Sequence, residues 1–508
     1  MTRWNKLAYR SLLLISFIGV NALILMGLGA ILGYLNTGAE RASILHLGVS
    51  LEQVYMPSTS WGNLDNEGRR MEEQTLHDIE EDFLRAWYVR SVAFKNNDPY
   101  GLDDYYTTNM RNKLKSLIEA NIASNTTISS TALDHKLHLD FYSADGKLVS
   151  FTDSLVTAKH EVFKGGELVH QYQDKTTYRV IMLLEDGFWR IRHLLSLDHK
   201  LIPKKTKGIA VKVPEISKIK GVNYYPRSQP WQLFNVEMNL QEITGDFKFL
   251  KSEGVNTLRI FVSYPVFGKA NIDPNKLKRL VSFMDLANEY DLEVLITLFD
   301  FYGNYDLTDW TLTHRHAEAI IKSLRDHPAL LGWDIKNEPD LDFKNRGEER
   351  VIGWLNEMID QVKTWDPDHP VTIGWSNAED ARILIEKVDF ISFHYYKDPE
   401  DFQEACSNLK KYSEGKEILL EEFGYSSYSG IANLWSGSEG KQASYYQEME
   451  QFISESEIPF LSWTLHDFEE VPNEVVGRLP WRKSRQKKFG LLRPDGSKKA
   501  AFDLLYKE

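Results

Sequence analysis

The chain has 508 residues, of which 42% are hydrophobic and 12% aromatic, and its formal net charge is −13. That length exceeds one ordinary hydrophobic core and predicts two or three domains, while the composition excludes general disorder. The negative charge argues against a nucleic-acid partner, because such binding needs clustered Lys and Arg. Cys406 is the single cysteine, which excludes an intrachain disulfide, and no Cys/His cluster has zinc-site spacing. We therefore expect neither a metal nor a cofactor.

The first segment is almost uninterrupted apolar sequence over residues 11–35. A helix of that length crosses the roughly 30 Å hydrocarbon layer of a bilayer, whereas the apolar part of a cleaved signal peptide has about 7–15 residues. We therefore expect residues 1–45 to form a cytoplasmic tip and an uncleaved membrane anchor, the alternatives being a buried helix or a signal peptide. Arg3, Lys6 and Arg10 precede the apolar stretch, so the positive-inside rule places the N-terminus in the cytoplasm and the rest of the chain in the periplasm or outside the cell.

Residues 70–200 have the pattern of a small α+β domain. Apolar residues at helical spacing predict helices around 79–87 and 110–118. Strand-like runs separated by turn residues follow them. These predicted strands cover residues 137–142, 148–155, 160–163 and 177–184.

This order of elements, with its final hairpin at Asp186-Gly187, resembles the nuclear-transport-factor-2-like cone fold. The resemblance implies a spacer or binding module, and no convergent His/Asp pair is apparent in the segment. Residues 201–217 are rich in Lys, contain two prolines and lack a helical period. They are predicted to form a linker to the last domain.

Residues 218–508 alternate short apolar runs with amphipathic stretches, as repeated βα units require. Eight such units predict an α/β fold of the (β/α)8 TIM barrel type, with functional groups at the carboxyl ends of the strands. The alternative is an open doubly wound sheet, but no glycine-rich phosphate loop follows any strand. The predicted strands cover residues 219–224, 255–261, 292–298, 330–335, 371–375, 390–393, 418–420 and 460–464.

Two glutamates follow predicted strands on opposite sides of this barrel. Asn337-Glu338-Pro339 ends the fourth strand, where the proline prevents the strand from continuing. Taken alone, this tripeptide fits a strand end with a surface carboxylate equally well. Glu421 and Glu422 follow the seventh strand, and side-chain alternation allows only one of them to face a substrate.

Together these motifs resemble the retaining glycoside hydrolases of clan A, most of all family 5, which includes cellulases and mannanases. The resemblance selects Glu422 over Glu421 and implies a double displacement on a β-linked oligo- or polysaccharide, with Glu422 as nucleophile and Glu338 as acid/base. It also implies substrate-binding roles for residues near the ends of the second, fourth, sixth and eighth strands. These residues are Arg259, Asn337, His394, Tyr396 and Trp463.

Two alternatives to a hydrolase stay open from the sequence. One is a β-transglycosylase, in which a sugar hydroxyl replaces water, and the other is a carbohydrate-binding barrel without activity. Six further residues are candidates for lining the cleft, although each is equally well explained by packing. They are Asn223, Tyr224, Asp300, Tyr302, Trp310 and Trp375.

Overall fold

The structure is a computed structural model that describes residues 54–201, 215–430 and 437–506, with six single helical positions between residues 16 and 27. The predicted anchor therefore lies almost wholly outside the described residues, as does most of the predicted linker. Within the described part of the chain, no helix is both long and apolar enough to cross a membrane.

Residues 54–201, the middle domain, pack helices against a sheet. The long first helix buries Ile79, Phe83 and Trp87 against the sheet, as their helical spacing predicts. Its helices are α1 (Glu73–Asn96), α2 (Leu102–Tyr105) and α3 (Thr108–Ala123). Its strands are β1 (Ser58–Trp61), β2 (Thr126–Ala132), β3 (Asp134–Tyr142), β4 (Leu148–Lys164), β5 (Glu167–Glu185) and β6 (Phe188–Leu201), in the order β1-β3-β4-β5-β6 with β2 paired to β4.

The long strand β4 replaces two strands that the sequence predicts separately. Its pairing with β5 shifts register between Asp153 and Val156, and Leu155 between them has a φ of 53°. Such a bulge inserts an extra residue and bends a strand without ending it. The predicted break at residues 156–159 is therefore wrong, because the pairing with β5 resumes after the bulge and continues through these residues.

The part of the chain described from residue 215 onward contains a closed barrel of eight parallel strands, which confirms the predicted TIM barrel. The strands are β7 (Lys220–Asn223), β8 (Thr257–Ser263), β9 (Glu293–Asp300), β10 (Leu330–Asn337), β11 (Val371–Trp375), β12 (Ile391–Tyr395), β13 (Ile418–Phe423) and β14 (Phe460–Ser462). The helices are α4 (Leu240–Ser252), α5 (Pro274–Glu289), α6 (Trp310–Leu324), α7 (Phe343–Arg346), α8 (Glu348–Trp365), α9 (Phe402–Lys410), α10 (Glu439–Ser456), α11 (Asn473–Val476), α12 (Pro480–Gln486) and α13 (Ala500–Tyr506).

Strands β10, β12 and β13 extend beyond their predicted carboxyl ends. The apolar pattern stops at the first polar side chain, but the parallel pairing continues through Asn337 on β10 and through His394 and Glu422, which pair with each other across β12 and β13. The barrel interior covers these polar side chains, so they remain part of the strands. The strand extensions carry the candidate catalytic groups to the barrel mouth.

The middle domain contacts the barrel helices α6 and α8. Lys159 of β4 forms an ion pair with Glu357 of α8, and its ammonium lies 4.9 Å from the ring centroid of Trp310. Burial alone would raise the pKa of Glu357, but Lys159 and His314 outweigh it and hold the pKa well below its usual range. Trp310, a candidate for the cleft, thus lies at the interface with the middle domain.

Candidate active site

A pocket of about 450 Å³ opens at the carboxyl ends of the barrel strands and contains both candidate glutamates. Of the predicted site residues, Asn337, Glu338, Tyr396, Glu422 and Trp463 line this pocket. The other two, Arg259 and His394, are fully buried beneath it. The barrel therefore brings all seven predicted residues together, while their individual roles stay predictions.

Glu338 occupies a backbone conformation that its sequence disfavours. Its φ is 47° and its ψ is 55°, in the left-handed region, although it directly precedes Pro339. The backbone N–H of Glu338 donates to the carbonyl oxygen of Gly374 at 2.6 Å, which ties this turn to β11. Conformations of this kind cost about 1–3 kcal/mol and occur at functional sites, where the surrounding structure enforces them.

Glu422 receives one hydrogen bond on each carboxylate oxygen. Nη1 of Arg259 donates to Oε2 at 3.1 Å, and the hydroxyl of Tyr396 donates to Oε1 at 2.5 Å. Burial of the hydroxyl and the adjacent Glu422 raise the pKa of Tyr396 well above its usual range, so the phenol remains a donor. Two donors on one carboxylate fix its orientation, as a nucleophile requires.

Arg259 connects the candidate nucleophile to the rest of the site. Its Nη2 donates to Oδ2 of Asp334 at 2.7 Å and to Oδ1 of Asn337 at 3.0 Å, while Nη1 also donates to Oδ1 of Asn223 at 3.0 Å. The planar guanidinium reaches all these acceptors at once, which a lysine ammonium cannot do from one position. Arg259 is thus a positioning residue beneath the pocket floor.

His394 lies between the two candidate catalytic glutamates. Its Nδ1 is 3.1 Å from Oε1 of Glu338 and 3.8 Å from Oε2 of Glu422. Burial alone would lower the pKa of His394, but Glu422, Glu338 and Glu421 outweigh it and raise the pKa to about 10. One potential ligand atom from each of Glu338, His394 and Glu422 lies within 4.8 Å of the other two, which is close enough to hold a metal ion. With its pKa raised and its Nδ1 close to Glu338, His394 acts as a charged hydrogen-bond donor to that carboxylate.

We expect the stabilising effect of His394 to depend on pH. The pKa is raised in the folded state, so this contribution is fully present below the unfolded pKa of about 6.5 and is lost as the pH rises through about 10. His394→Gln should lower the melting temperature by about 5 °C near pH 7, and by much less at high pH. Thermal unfolding of both proteins from acid to alkaline pH tests this, and a difference that does not change with pH would show that His394 is neutral.

Glu421 also faces the barrel interior, which strict alternation along β13 does not predict. It is fully buried, with Oε1 3.5 Å from Nε of Arg259 and Oε2 3.5 Å from Nε2 of His394. Register shifts on both sides of β13 relax the alternation there. Only Glu422 of the pair lines the pocket. Burial raises the pKa of Glu421, consistent with a structural place in the buried charge cluster.

The six further cleft candidates differ in whether they line the pocket. Asp300 lines the pocket, whereas the other five do not. Asn223 lies beneath the site, Tyr224 donates to Asp246, and Trp310 lies at the domain interface. Sequence reasoning missed several lining residues, because the segments that follow the strands, including α12, supply them. They include Tyr225, Trp231, Phe301, Arg482, Arg485 and Phe489.

The middle domain does contain a His/Asp pair, contrary to the sequence prediction. Nδ1 of His135 lies 2.6 Å from Oδ2 of Asp153, and the hydroxyl of Tyr55 lies 2.8 Å from Nε2 of His135. Both members of the pair are fully buried. The pair depends on the pairing of β3 with β4 next to the bulge, which the sequence pattern does not contain.

Residues 223–469 match the family model described as cellulase, glycosyl hydrolase family 5. The matched segment runs from the end of β7 to beyond β14 of the barrel. This match supports the resemblance to family 5 and agrees with a closed barrel whose strand ends carry Glu338 and Glu422. The matched residues include neither the predicted membrane anchor nor the middle domain.

The curated proteins similar to this chain include fungal enzymes. Mannan endo-1,4-β-mannosidase A of Podospora anserina is 22% identical over 205 residues, which is 31% of this chain and 53% of the relative. Probable mannan endo-1,4-β-mannosidase F of Aspergillus flavus is 23% identical over 274 residues, which is 40% of this chain and 56% of the relative. The chain thus spans about half the length of these curated relatives. A similar solved structure, exo-β-1,4-mannosidase Op5Man5 from Opitutaceae bacterium strain TAV5, has a TM-score of 0.48 and 18% identity over 58% of this chain and 61% of that one.

Proposed function

We propose that this protein is a retaining β-glycoside hydrolase that cleaves a β-linked glycan outside the cytoplasm. The observation that carries the proposal is the pair formed by Glu338 and Glu422 in one pocket, with a carboxylate oxygen of each within 4.8 Å of the other. Retaining enzymes hold their two carboxyl groups about 5–5.5 Å apart, whereas inverting enzymes need about 6.5–9.5 Å to admit a water molecule. The observed spacing favours retention.

In the first step, a carboxylate oxygen of Glu422 attacks the anomeric carbon while the glycosidic C–O bond breaks. The leaving oxygen takes the proton of Glu338. In the second step, the Glu338 carboxylate removes a proton from water, whose oxygen attacks the anomeric carbon and releases Glu422. Arg259 and Tyr396 orient the Glu422 carboxylate. The second step regenerates this carboxylate, so it is unchanged after each turnover.

The remaining predicted residues have places that suit sugar binding. Asn337 lines the pocket next to Glu338, where its amide would hydrogen-bond the sugar 2-hydroxyl as positive charge develops on the ring. Trp463 also lines the pocket and would stack on the apolar face of a pyranose. Its own ring meets Tyr225 edge to face, with centroids 5.6 Å apart, which holds it in position.

A reducing-sugar assay over β-mannan, β-glucan and β-xylan tests the proposal. β-1,4-Mannan is the first candidate because both curated relatives are named as mannan endo-1,4-β-mannosidases. We expect release of reducing ends from at least one polymer. New, longer products without release of reducing ends would identify a transglycosylase, and binding without any bond cleavage would identify a non-catalytic barrel.

We also propose that residues 11–35 anchor the enzyme in a membrane with the barrel on the non-cytoplasmic side. Phe17, Val20 and Ile24, which belong to this stretch, are helical and exposed apolar residues, as a lipid-facing surface requires. In sealed vesicles, added protease should therefore digest the barrel when the periplasmic or outer face is outward, and should spare it in inverted vesicles. The opposite pattern would overturn the orientation.

A further inference from the structure

A basic segment borders the catalytic pocket. Residues 478–488 contain six Lys and Arg residues and no Asp or Glu, although the whole chain has a net charge of −13. The segment includes α12, and its Arg482 and Arg485 line the same pocket as Glu338 and Glu422. The pocket wall thus has two cations that the cleavage chemistry does not use.

Hydrogen bonds attach this basic segment to the loops that follow β13 and β14. Oγ of Ser426 donates to the carbonyl oxygen of Arg485 at 2.6 Å. The backbone N–H of Phe468 donates to the carbonyl oxygen of Lys487 at 3.0 Å. Because β13 carries Glu422, these bonds fix the position of the basic segment relative to the nucleophile. The backbone that carries Arg482 and Arg485 is therefore held in place beside the site.

Arg482 and Arg485 are exposed, and neither forms an ion pair with any residue that the structure describes. In contrast, Lys488 of the same segment pairs with Asp467 at 3.2 Å, and Arg259 below the pocket is engaged by Asp334 and Glu422. A guanidinium group without a protein partner offers paired donors that match a carboxylate. The two arginines are thus available to a bound anion.

We propose that the glycan bound at this site is anionic, a β-linked polysaccharide whose sugar units carry carboxylates, and that Arg482 and Arg485 bind those carboxylates. This inference rests on the proposed hydrolase function, because the basic segment borders the same pocket. A protein of net charge −13 repels a polyanion at long range. A local cluster of cations at the pocket reverses that repulsion where the chain must enter, which sets specificity and association rate.

Matched polymer pairs test this preference with the full-length protein in detergent. One pair is carboxymethylcellulose and hydroxyethylcellulose, and the other is poly-β-1,4-mannuronate and β-1,4-mannan. In at least one pair, kcat/KM should be at least about fivefold higher for the acidic polymer at low ionic strength. That preference should decrease as NaCl is raised from about 50 mM to about 500 mM, because salt screens exposed charges.

Variants of the two arginines separate charge recognition from a structural effect. Arg482→Gln/Arg485→Gln should lower the ratio of kcat/KM for the acidic polymer to that for the neutral one about tenfold. Arg482→Lys/Arg485→Lys keeps both charges and should retain most of the ratio. The matched control is Arg70→Gln, which removes an exposed arginine of the middle domain and should not change the ratio.

The outcomes distinguish this inference from the hydrolase function on which it rests. Equal cleavage of acidic and neutral polymers, or a preference that neither salt nor the glutamine variants change, would overturn the inference and leave the hydrolase intact. Binding of the basic segment to anionic phospholipid vesicles without a preference between the polymers would also overturn it. If no polymer or aryl β-glycoside is cleaved, the hydrolase function fails and the inference fails with it.

Discussion

Glu422→Gln and Glu338→Gln should each abolish nearly all hydrolysis of a polysaccharide while the protein remains folded. Loss of the nucleophile removes the covalent route, and loss of a general acid costs about 10²–10⁴-fold, so we expect kcat to fall by at least about 10³-fold in either variant. Steady-state kinetics and circular dichroism measure the two properties. Both side chains line a solvent-accessible pocket, so an amide of the same shape should not disrupt packing.

Azide should distinguish the two roles. In Glu422→Ala, azide occupies the vacated space and attacks the substrate directly, so the glycosyl azide should have inverted configuration. In Glu338→Ala, azide attacks the covalent intermediate, so the product should retain configuration. Glu469→Gln, which changes an exposed glutamate outside the pocket, is the matched control and should keep full activity. Full activity in either catalytic glutamine variant would refute the assignment.

Arg259→Ala should both destabilise the barrel and remove activity. Arg259 is fully buried and lies within 3.5 Å of the carboxylates of Asp334, Glu421 and Glu422. Its removal leaves buried carboxylates without a counter-charge, and breaking a buried ion pair in this way costs about 3–5 kcal/mol. Urea unfolding measures the free-energy change.

Arg259→Lys separates the charge of this residue from its geometry. A lysine retains the positive charge but cannot donate to Glu422, Asp334 and Asn337 together. We therefore expect this variant to recover part of the stability while kcat stays at least about tenfold below that of the native protein. Arg70→Ala, at an exposed position, controls for loss of an arginine as such. Native stability in Arg259→Ala would mean that the buried carboxylates are neutral.

Much of the barrel follows from the sequence because its signals are local. Each strand is a short apolar run between turn residues, which is the pattern typical of a parallel strand that is buried on both faces. The predicted strand ends are wrong where a polar residue belongs to a strand, as with Asn337 on β10 and Glu422 on β13. One predicted break is also wrong, because β4 continues past a bulge at Leu155. In the sequence, a polar residue resembles a turn signal. In the structure, groups of the barrel interior satisfy the hydrogen-bonding capacity of its side chain.

The candidate site likewise contains residues that the sequence could place and residues that it could not. Strand ends of a barrel must meet at one mouth, so Glu338, Glu422 and Arg259 could be brought together from the strand pattern and the family resemblance. The basic segment could not be placed in that way, because Arg482 and Arg485 lie on α12, in the long connection that follows β14. Loop conformation depends on contacts such as Ser426 with Arg485, which no periodicity records.

Trapping the covalent intermediate tests the central claim most directly. A 2-deoxy-2-fluoro β-glycoside with an activated leaving group slows both steps, so the glycosyl-enzyme accumulates for mass spectrometry. The account predicts one added glycosyl unit per chain, located by peptide mapping on the carboxylate of Glu422. A label on Glu421 or Glu338, or turnover of the natural glycan to a product of inverted configuration, would contradict it.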